Sequence, residues 1–282
     1  MLTREIFCSV IALSLFSACS SESDPESSAS PPAPAASESE IVTRDIVIDD
    51  AFTDGDAHGW QAVMRDIPVD ILAEVERRVA SGESLGPTGV EVRDARHFDF
   101  PEERSHWLIN FGIKPLPPEV SAETGFLLQG NNHSDDLDMS LVKKIGPAEG
   151  VKPSTRYTIA IEETFASNAQ AGGFGVGGAE TLQVWMGATT KDPNEKRIAL
   201  GHVHFAEGIK DGDFFTNETT ANGLPFQLGS KPFKLVTVEH SIVRESAPDG
   251  TLWLMVGTHS GYESFSALYY TKVRAKLTPL RP

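Results

Sequence analysis

The densest polar run between residues 41 and 282 spans residues 131–136, Asn-Asn-His-Ser-Asp-Asp, and lies between two apolar segments. Its amide and carboxylate groups could bind sugar hydroxyls or a cation. The run also holds the residue types of a Ser–His–Asp hydrolase, but neighbours in one chain cannot easily reach the required geometry. A turn in which Asn and Asp bond local backbone is the structural alternative. The candidate ligand-binding residues here are Asn131, Asn132, His133, Asp135 and Asp136.

Trp60 and Trp107 lie beside polar segments, where an indole ring could stack on a sugar ring. The alternative for each is a half-buried tryptophan that covers the end of the fold. His259 completes the candidate ligand-binding set. If these residues bind one ligand, residues 131–136, Trp60 and His259 should converge on one concave surface.

His202 and His204 are separated by one residue, so on a strand both side chains point to the same face. They could form a metal pair with Glu207 as a partner, or they could simply lie on a solvated strand face. The glycine-rich segment 172–178 is followed by a strand-like run, whereas a phosphate-binding loop precedes a helix. A wide turn or bulge is therefore favoured there over nucleotide binding.

Elements that could position these residues begin at Ile41, where apolar and polar residues start to alternate with a period of two. Gly, Pro, Asn and Asp separate the segments, and Asp249-Gly250 predicts a hairpin turn. One short helix is predicted over residues 69–79, where apolar residues share a face. The predicted strands are 44–51, 106–112, 125–130, 137–144, 155–165, 180–188, 197–205, 233–240, 251–258 and 266–277.

This pattern lacks the regular exchange of strands and long helices that a doubly wound sheet requires. It predicts an all-β fold, an antiparallel two-sheet β-sandwich of the jelly-roll kind with a short helical insertion. Trp185 and Trp253 lie inside apolar strand-like runs and are predicted to pack in the core.

The first residues resemble a bacterial lipoprotein signal. Arg4 precedes an apolar run over residues 6–16 that is too short to span a bilayer, and Ser17 and Ala18 precede Cys19. The resemblance to the lipobox implies cleavage before Cys19 and acylation of its thiol. An ordinary signal peptide cut near Ala18, or a short membrane anchor, is the alternative. By resemblance to known sorting signals, Ser20 favours the outer membrane, facing the periplasm or the cell surface.

Residues 20–40 are almost all Ser, Pro, Ala, Glu and Asp, a composition that cannot repay the entropy of folding. We expect a spacer between the lipid and the folded body, with a binding tail as the alternative. The predicted organisation is a signal peptide over residues 1–18, a lipidated disordered tether over 19–40 and a β-sandwich domain over 41–282.

The net charge argues against a nucleic-acid partner, and the cysteine content argues against a disulfide or a thiolate metal site. The net charge of −16 repels phosphate backbones, so nucleic acid is excluded as a partner. Cys8 and Cys19 are the cysteines of the sequence, and Cys8 is lost with the signal peptide. The mature body is therefore expected to contain neither a disulfide nor a thiolate metal site.

Three blocks carry a further resemblance: residues 50–55 with Gly59-Trp60, residues 130–137, and residues 252–258 with 268–270. Together with the lipobox they resemble a set of uncharacterised bacterial lipoproteins over residues 44–278. The first block also resembles the opening strand of carbohydrate-binding modules with a galactose-binding-like jelly roll. That resemblance implies a first and last strand paired at one edge and a structural calcium ion.

The calcium ligands on the first strand would be Asp49, Asp50 or Asp54. The last strand should supply an Asp near position 271, but this sequence has Thr271 and Lys272 there. Losing a carboxylate and gaining an ammonium group works against a cation that needs six or more oxygens.

The function predicted from these features is a membrane-anchored, non-enzymatic binding domain whose partner is a glycan or another cell-envelope component. One alternative is a lyase or glycosidase that acts on polysaccharide or peptidoglycan. Its paired acids would come from Asp135, Asp136, Asp138, Glu162, Glu163 or Glu180. A structural envelope lipoprotein without a small ligand is the other alternative.

Overall fold

The computed structural model describes residues 44–83, 107–132, 137–167, 182–206, 209, 233–260 and 265–281. The chain divides into two units, Met1–Ile41 and Val42–Pro282, and every described residue belongs to the second. Among these residues, none of the helical structure is long and apolar enough to cross a membrane.

The described residues form mostly β-strands and one α-helix. The helix is α1 (Val69–Ala80). The strands are β1 (Ile46–Ala51), β2 (Gln61–Arg65), β3 (Ile67–Pro68), β4 (Asn110–Pro115), β5 (Thr124–Asn131), β6 (Leu137–Ile145), β7 (Arg156–Ser167), β8 (Leu182–Thr189), β9 (Lys196–Ala199), β10 (His202–Phe205), β11 (Lys234–Glu245), β12 (Leu252–Ser260) and β13 (Phe265–Pro279).

Two antiparallel sheets form the sandwich. The large sheet has the order β11-β7-β13-β5-β4, with β1 also paired to β13, and the four-stranded sheet has the order β2-β6-β12-β8. A small three-stranded sheet has the order β3-β10-β9. The predicted all-β sandwich with one short helix is confirmed. The predicted pairing of the first and last strands is also present, because Ile46 is opposite Leu277 and Ala51 is opposite Lys272.

The main core lies between the two larger sheets because successive residues of a strand point to opposite faces. In β7, Tyr157, Ile159 and Ile161 are buried, and they alternate with the exposed residues Arg156 and Ala160. The same alternation in the other strands predicts which face of the large sheet is open to solvent.

The four-stranded sheet is covered on both faces. Leu254 and Val256 of β12 belong to the main core, whereas Trp253 and Met255, which alternate with them, belong to a second apolar cluster with Trp185. Burial on both faces explains why β12 reads as an almost continuous apolar run.

Three details of the sequence-based prediction are wrong. The segment predicted as one strand over 197–205 is a hairpin, because Leu200 and Gly201 have positive φ values of 52° and 83° and reverse the chain. The turn at Asp249-Gly250 exists, but it connects β11 of the large sheet with β12 of the other sheet rather than two paired strands. Strands β2 and β3 were not predicted.

Candidate functional site

An open groove of about 590 Å³ lies against the solvent-facing side of the large sheet. Strands β11, β7 and β13 supply its lining. The polar residues that line it are Glu162, Glu239, His240, Ser241, Arg274 and Lys276. Glu162 alternates with the buried residues Ile161 and Glu163, so its side chain points away from the core.

The register of the three strands places the charged groups of the groove in one row. Glu239 on β11 is opposite Glu162 on β7, and Glu162 is opposite Arg274 on β13. In the next row, Ser241 and Lys276 flank Ala160. Neighbouring strands lie about 4.8 Å apart, so the first row places two carboxylates and a guanidinium group on adjacent strands, whereas Ala160 separates Ser241 from Lys276 in the second.

Ion pairing distinguishes Lys276 of the groove, and Lys272 of the same strand, from the other charged groups of the groove. Lys276 Nζ lies 2.8 Å from Asp45 Oδ2, and Lys272 Nζ lies 2.9 Å from Asp49 Oδ1. In contrast, Glu162, Glu239 and Arg274 form no ion pair or side-chain hydrogen bond with any residue that the structure describes. Two carboxylates and a guanidinium group are therefore available to a ligand.

The residues of this groove were largely missed by sequence reasoning. Glu162 was named only as one of six possible acids, and Glu239, Arg274 and Lys276 were not named. The signal that could have found them is the regular alternation Val-Arg-Ala-Lys-Leu in β13, which marks one solvent-facing side. The sequence does not reveal that β7 and β11 lie beside that strand.

The predicted polar run is described only in part. Asn131 and Asn132 lie at the end of β5 and are 7% and 2% exposed, so their amides face the interior rather than solvent. The backbone N–H of Asn131 donates to the Trp107 carbonyl oxygen at 2.7 Å. The predicted site residues His133, Asp135 and Asp136 lie outside the described residues, as do residues 172–178, Glu180 and Glu207.

The two predicted stacking tryptophans are buried. Trp60 is 3% exposed and Trp107 is 0% exposed, so neither offers a ring face to a sugar in this structure. The expectation of an exposed stacking platform at these residues is therefore wrong. Trp60 belongs to the main core, and its indole Nε1–H donates to Asp50 Oδ2 at 2.8 Å. This hydrogen bond satisfies the polar atom of a ring that packs between the sheets.

His259 lies opposite the start of β6, whereas Trp60 lies beside the middle of that strand. Its Nδ1 lies 2.7 Å from Asp138 Oδ1, and its ring stacks on Trp185 with 6.3 Å between ring centroids. Asp138 is at the start of β6, whereas Gln61, next to Trp60, pairs with Val142 further along the strand. Trp60 and His259 therefore do not share one concave surface.

The three predicted calcium ligands face different partners. Asp49 pairs with Lys272, and Asp50 Oδ2 lies 2.6 Å from Lys143 Nζ in addition to its bond with Trp60. Asp54 accepts a hydrogen bond from the Asp56 backbone N–H, which lowers the pKa of the Asp54 carboxyl. Each of these alternative ligands thus already has a partner, and calcium binding remains a prediction from the resemblance.

His202 and His204 share a carboxylate partner that the sequence analysis did not identify. Their Nδ1 atoms lie 3.4 Å and 3.3 Å from Asp66 Oδ1. Asp66 follows β2 and has a positive φ of 61°, so the turn into β3 directs this buried side chain at β10. Across the described part of the chain, His, Cys, Asp and Glu do not form any group of three or more that could hold a metal ion.

No family model and no curated protein matches the chain. Solved structures resemble it only distantly. The carbohydrate-binding module TmCBM61, in complex with β-1,4-galactotriose, shares 6% identity at a TM-score of 0.30, over 80% of this chain and 92% of that chain. CBM27-1 of Caldicellulosiruptor saccharolyticus, in complex with mannohexaose, shares 7% sequence identity at a TM-score of 0.30, over 81% of this chain and 95% of that chain. The K1 cleaved adhesin domain of Lys-gingipain from Porphyromonas gingivalis W83 shares 11% sequence identity at a TM-score of 0.29, over 81% of this chain and 96% of that chain. Likenesses this distant assign neither a ligand nor an activity to this chain.

Proposed function

We propose that the protein is a β-sandwich binding domain that binds a glycan in the groove on the large sheet. The observation that carries this proposal is the row Glu239–Glu162–Arg274, whose charged groups make no ion pair with one another inside an open groove. Ionised carboxylates accept hydrogen bonds, and guanidinium and ammonium groups donate them. A ligand that uses both must carry many groups that donate and accept, as sugar hydroxyls do.

Charge supports a glycan over a polyanionic ligand. Because Lys276 is paired with Asp45, the groove offers two carboxylates and one guanidinium group, a net charge of −1, and the whole chain carries a net charge of −16. A nucleic acid or polyphosphate would meet repulsion from the protein without a compensating basic surface in the groove. A neutral glycan meets no such penalty and can gain charge-assisted hydrogen bonds.

Substitutions in the row are expected to weaken glycan binding. Arg274→Ala and Glu162→Gln should each lower the affinity about 10- to 100-fold, because a hydrogen bond to a charged group contributes about 1.5–3 kcal/mol. The measurement is a glycan array with the full-length chain, with and without calcium, followed by titration calorimetry on the strongest ligand. Neutral, acidic and amino-sugar oligosaccharides should all be present on the array.

Matched controls lie on the same strands. Glu245→Gln changes an exposed glutamate of β11 at the far end from Glu239, and Arg156→Ala changes an exposed arginine at the start of β7. Both should leave the affinity unchanged. The proposal fails if no glycan binds, or if the groove variants bind as tightly as the controls.

A glycan-cleaving enzyme is the second candidate, and the pair Glu162–Glu239 favours it. Residues directly opposite each other in an antiparallel pair have Cβ atoms about 5 Å apart, which brings two carboxylates into one groove. A retaining glycosidase uses two carboxyl groups at a similar separation. New reducing ends in the same glycan mixtures, lost in Glu239→Gln, would establish this candidate and replace the binding role.

The proposed role also places the domain at the cell envelope through a lipid on Cys19. Replacing this residue in Cys19→Ser should abolish acyl-chain incorporation and release the protein from the membrane fraction, because two or three acyl chains anchor firmly. The measurement is labelled-palmitate incorporation with membrane fractionation. Cys8→Ser changes the other cysteine of the sequence and should retain the label. A label that persists in Cys19→Ser would refute the lipid anchor.

A further inference from the structure

The tip of the hairpin between β9 and β10 exposes two large apolar side chains. Leu200 is 102% exposed and Ile198 is 65% exposed, the two highest values among the large exposed apolar residues that the structure describes. The tip is convex, because Ala199 and His202 pair across a turn formed by Leu200 and Gly201. Neither side chain contributes to either apolar cluster of the fold.

Backbone conformation makes leucine an unfavourable choice at this turn. Both turn residues have positive φ, 52° at Leu200 and 83° at Gly201, as in the type I′ hairpins that favour Asn-Gly. A side chain other than Gly, Asn or Asp at such a position is strained. Glycine at position 200 would relieve this strain, so the leucine side chain does not stabilise the turn.

Basic residues accompany the apolar tip. Lys196 and Arg197 are exposed on β9, two and one residues before Ile198, in a chain whose net charge is −16. Lys196 pairs with Glu76 of helix α1, while Arg197 forms no ion pair with a described residue. The hairpin thus presents two exposed apolar side chains and one basic group without an ion pair to any described residue, Arg197, on an acidic protein.

We propose that this hairpin tip docks on an anionic lipid surface. Leu200 and Ile198 would enter the headgroup region and Arg197 would face the lipid phosphates, since apolar burial and basic charge together drive interfacial binding. A stable protein interface buries about 800 Å² on each partner, far more than two side chains on a convex tip supply. A planar lipid surface accepts such a tip without a complementary pocket.

Hydrogen exchange of the full-length chain on vesicles localises this contact. On phosphatidylglycerol–phosphatidylcholine vesicles, amides 196–202 should exchange at least fivefold more slowly than in solution, and on pure phosphatidylcholine vesicles much of this protection should vanish. Because the readout is confined to the hairpin, any membrane contact of the N-terminal segment does not interfere. Equal exchange rates with and without anionic vesicles would overturn the proposal.

Leu200→Gly separates a lipid-binding role from a structural one. Removing the side chain relieves the positive-φ strain, so the thermal midpoint of unfolding should rise by a few degrees, while the hairpin protection on anionic vesicles should be lost. Leu280→Gly removes another exposed leucine and should leave the vesicle protection unchanged. Protection that survives in Leu200→Gly refutes lipid docking, even if the variant is more stable.

Discussion

Gly257→Ala is expected to destabilise the sandwich by about 3 kcal/mol, because overpacking a closed core forces backbone and side chains apart. A Cβ atom at Gly257 would lie 2.4 Å from the Met139 carbonyl oxygen and 2.6 Å from Trp185 Nε1. The Trp185 indole crosses Gly257 on β12 and donates to Ser140 Oγ at 3.0 Å on the neighbouring strand. Neither the strand nor the buried ring can move without losing these contacts.

Urea denaturation followed by tryptophan fluorescence measures the loss at Gly257. Gly146→Ala is the matched control, since a Cβ there meets nothing within 4 Å. Its free energy of unfolding should stay within about 0.5 kcal/mol of the original protein, as is usual for open surface sites. Equal unfolding midpoints for the two variants would mean that Trp185 does not lie across Gly257.

Glu163→Met is expected to stabilise the protein by on the order of 2 kcal/mol at pH 8, because it removes a buried ionisable group from an apolar core. Glu163 is 0% exposed between Val238 and Val273, and neither of its carboxylate oxygens has a hydrogen-bond partner. Burial raises the pKa of Glu163 well above its ordinary value. Burial and the neighbouring Glu163 also raise the pKa of Tyr270.

The sign of the pH dependence follows from this raised pKa. The unfolded chain ionises Glu163 above about pH 4.5, whereas burial in the folded protein holds the pKa of Glu163 well above that value. The stability that this proton provides is complete below the unfolded pKa, and it falls by at most about 1.4 kcal/mol per pH unit as the pH rises toward the folded pKa. The advantage of Glu163→Met should therefore shrink between pH 8 and pH 5.

Calorimetric unfolding at pH 5, 6.5 and 8 tests this dependence, and taking the difference between variant and parent cancels the other titrating groups. Glu163→Gln keeps the shape of the side chain and should show the same reduced pH dependence. Glu162→Gln changes the adjacent, outward-facing glutamate and should follow the parent at every pH. A Glu163→Met variant whose advantage does not grow with pH would contradict the raised pKa of buried Glu163.

Sequence reasoning predicted most of the strands and the helix. The alternation in β7 and β13 is local, because each residue's face follows from its position in the strand, and the apolar face of α1 follows from helical spacing. The residue types at turns were a weaker guide to where strands begin and end. Leu at a positive φ gives no turn signal, so β9 and β10 were read as one strand.

The candidate site was only partly predictable, because strands that pair in a sheet can be far apart in the sequence. Arg274, Glu162 and Glu239 lie in one row, yet they are far apart in the chain. Trp60 lies beside polar residues in the sequence, which suggested a stacking role. Its hydrogen bond to Asp50 and its burial depend on how the two sheets pack, which the sequence does not show.

By itself, the sequence determined the class of fold, the acidic charge and the lipobox-like motif at Cys19, since each depends on composition or on short-range order. The tertiary structure alone decided which polar residues share a groove, which tryptophans are buried and which leucine stands free at a hairpin tip. The physical reason is that burial and proximity are properties of the assembled sheets. The sequence of one strand does not specify which other strand pairs with it.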